Sequence, residues 1–276
     1  MRNWLFVLSL CCFIGGYAQE EIGLLPKGIE ESSALICVQD SLFITLNDSG
    51  GSATLYIIDG NARLVDSCVI TNAVNVDWEA LTTDGQNRIF IGDIGNNKNK
   101  RTDLAIYSVD LNTVLTQSTA EAEKISFSYP DQTAFPPVDS LLYFDAEALI
   151  YRNDSLFILT KNRTVPFDGI SKVYGLSTTP GEQIAKQYPD IHLRPTHWTE
   201  DCITDATLHH DTLYILTYSK IYTFIRKNNS FEEKSVYRIA YPTQLEAICY
   251  RNGYLYLTDE KTPLGKGKLY RVTIDE

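Results

Sequence analysis

One pattern recurs five times along this chain of 276 residues. It reads as a small or acidic residue, Ala, an apolar run, a turn, a second apolar run ending in polar residues, and then a strand-like segment containing Tyr. The first copy begins Ser33-Ala34-Leu35-Ile36, continues through Ser41–Leu46 into Asn47-Asp48-Ser49-Gly50-Gly51, and ends at Thr54–Ile58. The second opens Asp77-Trp78-Glu79-Ala80-Leu81, passes Ile89-Phe90-Ile91 into Gly92-Asp93-Ile94-Gly95-Asn96-Asn97, and ends at Leu104–Val109. Asp145-Ala146-Glu147-Ala148-Leu149 starts the third, which runs through Thr160-Lys161-Asn162-Arg163 to Lys172–Leu176. The fourth starts at Thr204-Asp205-Ala206 and the fifth at Leu245-Glu246-Ala247-Ile248.

A more polar fourth strand is expected between copies, at Ala62–Ile70, Lys124–Tyr129, Glu182–Tyr188 and Lys234–Ile239. Four strands per unit, repeated in this way, specify the blades of a β-propeller. The fifth unit lacks its fourth strand, and Glu20–Pro26 can supply it, which closes the ring and leaves no exposed edge between first and last blades. The expectation is therefore an all-β, five-bladed propeller closed by an N-terminal strand, one domain over residues 19–276. A six-bladed ring would need Pro130–Phe144 and Pro189–Cys202 to form another unit, yet both read as loops, with prolines that disfavour central strands. A β-sandwich also has many short strands but does not require a repeated inner-strand motif.

Residues 1–18 have the plan of a secretory signal peptide: Arg2, an apolar run from Trp4 to Ile14, and small residues before a cut after Ala18. About 11 apolar residues are too few to span a bilayer, which takes roughly 20. Export to the periplasm, outer surface or medium is the expectation; lipid attachment at Cys11 or Cys12 is disfavoured by the bulky Leu10. No other stretch is long and apolar enough to cross a membrane. Export would permit disulfides, but Cys37 and Cys249 lie in apolar strands and no dense framework exists, so Cys37, Cys68, Cys202 and Cys249 read as buried thiols with a bridge as the alternative.

Composition matters mainly for charge. With 35 Asp and Glu against 24 Lys and Arg the net charge is −11, and no basic cluster exists to displace counterions from a phosphate backbone, so nucleic acid is not an expected partner. Aligning the five copies on their shared Ala puts Ser33, Glu79, Glu147, Asp205 and Glu246 in one column near the axis. A second column, two residues earlier and so on the same strand side, holds Glu31, Asp77, Asp145, Ile203 and Gln244. Converging carboxylates repel one another unless compensated. Two compensations are open: a hard cation, Ca²⁺ or Mg²⁺, held by the first column, or hydrogen bonds from backbone N–H groups of neighbouring blades.

Lys98, Lys100, Arg101, Lys161, Arg163, Lys220 and Lys261 fall in the loops that open on the same face. With Asp93, the four residues Lys161, Arg163, Lys220 and Lys261 are candidates for holding a small anionic ligand or a protein over the axial mouth. Catalytic motifs are scarce. His192, His197, His209 and His210 lie outside the axial column, and no Gly-x-Ser-x-Gly elbow, His-Glu-x-x-His helix or P-loop occurs. Hydrolysis would have to use metal-activated water with Glu79, Glu147 or Glu246 as base. No organic cofactor is indicated, and a monomer is expected.

The series Asn47-Asp48-Ser49-Gly50-Gly51, Asp77-Trp78-Glu79-Ala80-Leu81, Gly92-Asp93-Ile94-Gly95-Asn96-Asn97, Tyr129-Pro130-Asp131, Asp145-Ala146-Glu147-Ala148-Leu149, Ile203-Thr204-Asp205-Ala206 and Glu246-Ala247-Ile248 resembles that of poorly characterised exported bacterial β-propellers. It is more distantly similar to esterase-like phytase and NHL-type propellers. The resemblance implies the fold. It implies chemistry only by analogy, since the Asp-Trp-Glu-Asp tendency of the family stands here as Asp-Trp-Glu-Ala. Three functions follow as expectations: a cation-assisted binding module, a metal-dependent ester or phosphoester hydrolase, or a structural surface protein.

Overall fold

The computed structural model describes residues 19–39, 41–228, 230–239, 243–263 and 266–274. The expected leader, with Cys11 and Cys12, lies outside the described residues. Five sheets, each built on four antiparallel strands, form a five-bladed propeller, and each innermost strand packs beside the innermost strands of its two neighbours until the fifth meets the first. From the axis outward, blade 1 comprises Ser32–Gln39, Leu42–Asn47, Thr54–Asp59 and Leu64–Ile70; blade 2, Trp78–Thr83, Arg88–Asp93, Ala105–Asp110 and Glu123–Ser128. Blade 3 comprises Asp145–Arg152, Ser155–Lys161, Ile170–Ser177 and Lys186–His192, and blade 4 Ile203–His209, Thr212–Thr217, Lys220–Lys227 and Ser230–Arg238. Blade 5 takes Leu245–Arg251, Tyr254–Asp259 and Lys268–Thr273 from the C-terminal end and Gln19–Leu24 as its outer strand, the closure expected from the sequence.

The middle strands are apolar on both faces because each sheet is sandwiched between two others. Apolar side chains accordingly segregate into five clusters, one per interface between blades, rather than one central core. Trp78, fully buried, belongs to the cluster between blades 1 and 2 and points away from the channel. Pro189 sits in an outer strand, where a missing N–H costs no ladder bond to a further strand.

Two departures from the sequence reading concern the blade edges. The fourth strand of blade 3, expected at Glu182–Tyr188, is Lys186–His192; Gly181–Ile184 instead pairs in parallel with the outer strand of blade 2. A turn through Gly181, whose φ of 121° favours glycine, sends the chain to that edge, and buried Ala185 marks its return. Blade 2 does likewise. After a short helix, Leu111–Thr116, capped by Asp110 through the Thr113 N–H, Thr119–Ala120 pairs with the outer strand of blade 1.

All five inner strands carry a register shift at their start, between Ser32 and Ala34, Trp78 and Ala80, Ala146 and Ala148, Ile203 and Asp205, and Leu245 and Ala247. The unpaired residues are Ser33, Glu79, Glu147, Thr204 and Glu246. A bulge bends the strand and re-aims the extra side chain, here at the rim of the channel. Alignment on Ala finds four of the five. In blade 4 the bulge comes one residue earlier, so Thr204 occupies the position that the alignment gave to Asp205.

Candidate functional site at the channel mouth

Glu79, Glu147 and Glu246, each no more than 5% exposed, gather near the axis where the inner strands begin. Burial raises the pKa of all three; at Glu79 the charges of Glu147, Asp48 and Asp77 add to it, whereas at Glu147 and Glu246 the Lys161 ammonium opposes it without cancelling it. Ser33 and Asp205 have other work. Ser33 Oγ donates to the Trp78 carbonyl at 3.1 Å and so ties blade 1 to blade 2. Asp205 accepts from the Ala206 N–H at 2.7 Å and the Ile248 N–H at 2.8 Å, joining blades 4 and 5. These two make the backbone contacts between blades that were the alternative to cation binding. Of the expected cation set, Glu79 is the one member that, among the described residues, falls in a group of carboxylates close enough to share an ion, and its companions there are Asp48 and Asp77.

One half of the mouth holds its own cation. Lys161, 3% exposed, donates to Glu147 Oε1 at 2.9 Å and to Tyr218 Oη at 3.0 Å. Burial opposes its charge, but Glu147 and Glu246 outweigh that and raise its pKa. Arg163 donates to Asp145 Oδ2 at 2.7 Å and reaches to 3.8 Å of Glu147. Trp198 roofs both cations, with its ring 6.0 Å from Lys161 Nζ and 4.9 Å from the Arg163 guanidinium, and its indole N–H donates to the Asn162 carbonyl at 2.7 Å.

The other half has no such partner. One oxygen each from Asp48, Asp77 and Glu79 lies within 4.8 Å of the others, and among the described residues none of the three forms an ion pair with Lys or Arg. Burial, then the charges of Asp48 and Asp145, pushes Asp77 up to about 6. Asn75 sets this group: its amide donates to the carbonyls of Asn47 and Asp48, while its oxygen accepts from the Trp78 N–H, binding the blade 1 loop to the start of blade 2. Gly95 completes the cradle. A Cβ there would lie 2.5 Å from Asp77 Cγ and 2.8 Å from Glu79 Cγ, so the side chains can occupy this place only because residue 95 has none.

The remaining expected ligand residues are engaged internally. Asp93 pairs with Arg101 at 2.9 Å, Lys220 with Asp201 at 2.6 Å and Glu200 at 3.1 Å, and Lys261 with Glu30 at 2.7 Å. Lys220 and Lys172 share a pattern the sequence reading missed. Each opens a Lys-x-Tyr in a third strand, and its ammonium and the Tyr hydroxyl meet one Asp: Asp201 with Lys220 and Tyr222, Asp131 with Lys172 and Tyr174. The repeat of Lys-x-Tyr was the available signal. Glu31 is exposed, Gln244 donates to Glu246 at 3.2 Å, and of the histidines His209 stacks on Tyr250 with ring centroids 3.7 Å apart, away from the mouth.

No family model matches the chain, and no curated protein matches it. Solved structures do. Glutaminyl cyclase of Myxococcus xanthus is similar with a TM-score of 0.56 at 11% identity, covering 94% of this chain and 97% of that one. A luciferin-regenerating enzyme is similar with a TM-score of 0.51 at 12% identity over 94% and 96% of the two chains. The Neurospora crassa Pan2 WD40 domain has a TM-score of 0.46 at 12% identity over 94% and 96%. At these identities the first two likenesses speak to the fold alone: this chain is a β-propeller, on an architecture that hosts enzymes and binding modules alike.

Proposed function

We propose that the protein is a binding module whose axial mouth takes a hard divalent cation, Ca²⁺ before Mg²⁺, through Asp48, Asp77 and Glu79, and presents that charge to a ligand or protein docking on this face. The observation that carries this is the trio itself: three carboxylate oxygens within 4.8 Å of one another. A Ca²⁺ ion about 2.3–2.6 Å from each oxygen fits that spacing and leaves further positions for water or a ligand oxygen. Among the described residues no Lys or Arg pairs with the trio, which distinguishes it from Glu147, paired with Lys161. Mg²⁺, which demands near-ideal octahedral geometry at about 2.0–2.1 Å, suits so spread a set less well.

This reading moves the expected ligand chemistry. Lys161, Arg163, Lys220 and Lys261 are held by carboxylates, so an anionic group would depend on the bound cation rather than on these side chains. A hydrolytic reading keeps one specific support. Glu246 is buried near Asp48, with Gln244 donating to its Oε1 and Tyr218 beside it, the place for a proton-transfer group if Glu79 serves as ligand while Glu147 is fixed by Lys161. Export from the cell remains part of the proposal, carried by the leader-like residues 1–18.

Calorimetric titration with Ca²⁺ and melting in its presence test the binding. Ca²⁺ at about 100 times its Kd should stabilise the native state by about 2.7 kcal/mol. Asp48→Asn and Glu79→Gln should abolish both heat and shift while the far-ultraviolet spectrum stays that of the parent. No shift at millimolar Ca²⁺ overturns the proposal. Turnover of aryl esters or aryl phosphates that needs both Ca²⁺ and Glu246 would select the hydrolytic reading.

A further inference from the structure

The ring closes between blades 5 and 1, and a pair of cysteines meets in the interface between those two blades. Cys37 lies in the inner strand of blade 1 and Cys249 in the inner strand of blade 5, 212 residues further along, with their Sγ atoms 2.7 Å apart. Non-bonded heavy atoms settle at about 3.5–4.0 Å, whereas a disulfide bond is about 2.03–2.05 Å long. The two sulfurs thus sit closer than ordinary contact and short of a bond, on strands that already pack side by side. Neither of the other described cysteines has such a neighbour: Cys68 is buried in the cluster between blades 1 and 2, and Cys202 is buried beneath Lys161 and Glu147.

We propose that Cys37 and Cys249 are a disulfide-forming site that covalently locks the first blade to the last. The pair is reachable. Both residues line a cavity of about 150 Å³ at the end of the channel opposite the carboxylates, together with Leu35, Thr82, Tyr151 and Tyr250. Cys37 is partly exposed and Cys249 is buried, and burial holds the Cys249 thiol well above its usual range. Reactivity follows thiolate and access, which sets the order of events. The Cys37 thiolate attacks one sulfur of an oxidant disulfide, expelling the other as a thiol. Cys249 then loses its proton and attacks Cys37 Sγ, releasing the second thiol. Two protons leave the pair, and its two electrons reduce the oxidant. A compartment that supplies disulfide oxidants, as the leader-like residues 1–18 imply, is where this proceeds.

Such a bond would close almost the whole ring as one loop, and long loops gain most from cross-linking in the chain-entropy view. The site is independent of the cation proposal, at the other end of the channel. Its test treats the reduced protein with oxidised glutathione, counts thiols in denaturant, and maps peptides without reduction. The expected result is loss of two thiols, one cross-linked peptide joining Cys37 to Cys249, and a melting midpoint higher by about 5–15 °C than in reductant. Cys68→Ser with Cys202→Ser should retain all three signatures. Cys37→Ser should lose the cross-link and melt alike with and without reductant. An unchanged thiol count, glutathione retained on Cys37, or a cross-link through Cys68 or Cys202 overturns the inference.

Discussion

The two halves of the channel mouth answer one electrostatic problem differently. Around blade 3, buried acids meet a cation supplied by the chain: Lys161 for Glu147, Arg163 for Asp145. At the junction of blades 1 and 2, Asp48, Asp77 and Glu79 crowd together beside Glu147, and among the described residues none of the three forms an ion pair with Lys or Arg. Position in the repeat cannot account for this, since Glu79 and Glu147 occupy equivalent bulges. The difference lies in the following loop. Asp93 pairs with Trp78 as Thr160 does with Ala146, so where blade 3 has Lys161, facing Asp145, blade 2 has the next residue, buried and uncharged Ile94. Chemically equivalent acids thus become a fastener where a lysine is provided and a cluster of carboxylates without one where it is not.

Removing the built-in cation breaks the comparison most severely. Lys161→Met leaves Glu147 buried without its partner and should cost about 3–5 kcal/mol in denaturant unfolding. If the variant is as stable as the parent, Glu147 was not held as an ion pair. A smaller effect is expected from pH. Asp77 is raised to about 6 and Glu260 to about 8, both first by burial and then by neighbouring carboxylates. Above the ordinary carboxylate range the unfolded chain has released protons that the native state still holds, so metal-free protein should lose stability as pH rises from about 5 to 8. Ca²⁺ favours the ionised trio, so its stabilisation should be greater at pH 8 than at pH 5. Melting curves at both values, with Ca²⁺ and with chelator, check both signs. The least effect belongs to Ser33→Ala, which removes one hydrogen bond to the Trp78 carbonyl. A loss of about 0.5–1.5 kcal/mol with unaltered Ca²⁺ affinity would separate blade fastening from ligand binding in one column.

The blades were legible because inner-strand periodicity and a repeated Ala survive in every copy, and because closure by the N-terminal strand follows from counting strands. The donated strands were not. Gly181–Ile184 and Thr119–Ala120 add to neighbouring edges in parallel, and an edge strand with one dry face or none carries no strong alternation. The axial carboxylates were found by alignment, yet the blade 4 bulge falls on Thr204, and alignment on Ala cannot sense a shift in hydrogen-bond register. Asp48 belonged to a recognised loop, but its approach to Asp77 depends on Asn75, a tertiary link with no periodic signature. Lys161 read as a rim residue because most lysines stay solvated; only the converging carboxylates make its burial favourable.

The seal of the ring also determines how it would come apart under load. Gln19 pairs with Val272 and Leu24 with Lys268, so the outer strand of blade 5 begins beside the place where the chain's final strand finishes. Tension between those two points would open the ladder one rung after another from Gln19 inward, instead of stretching all rungs together in shear. Blade 5 would therefore peel first, at low force, while the other four keep their own chain connections. A sulfur bridge between Cys37 and Cys249, joining the inner strands behind that peeling edge, would act as the stop that keeps an unfastened outer strand from becoming an opened ring.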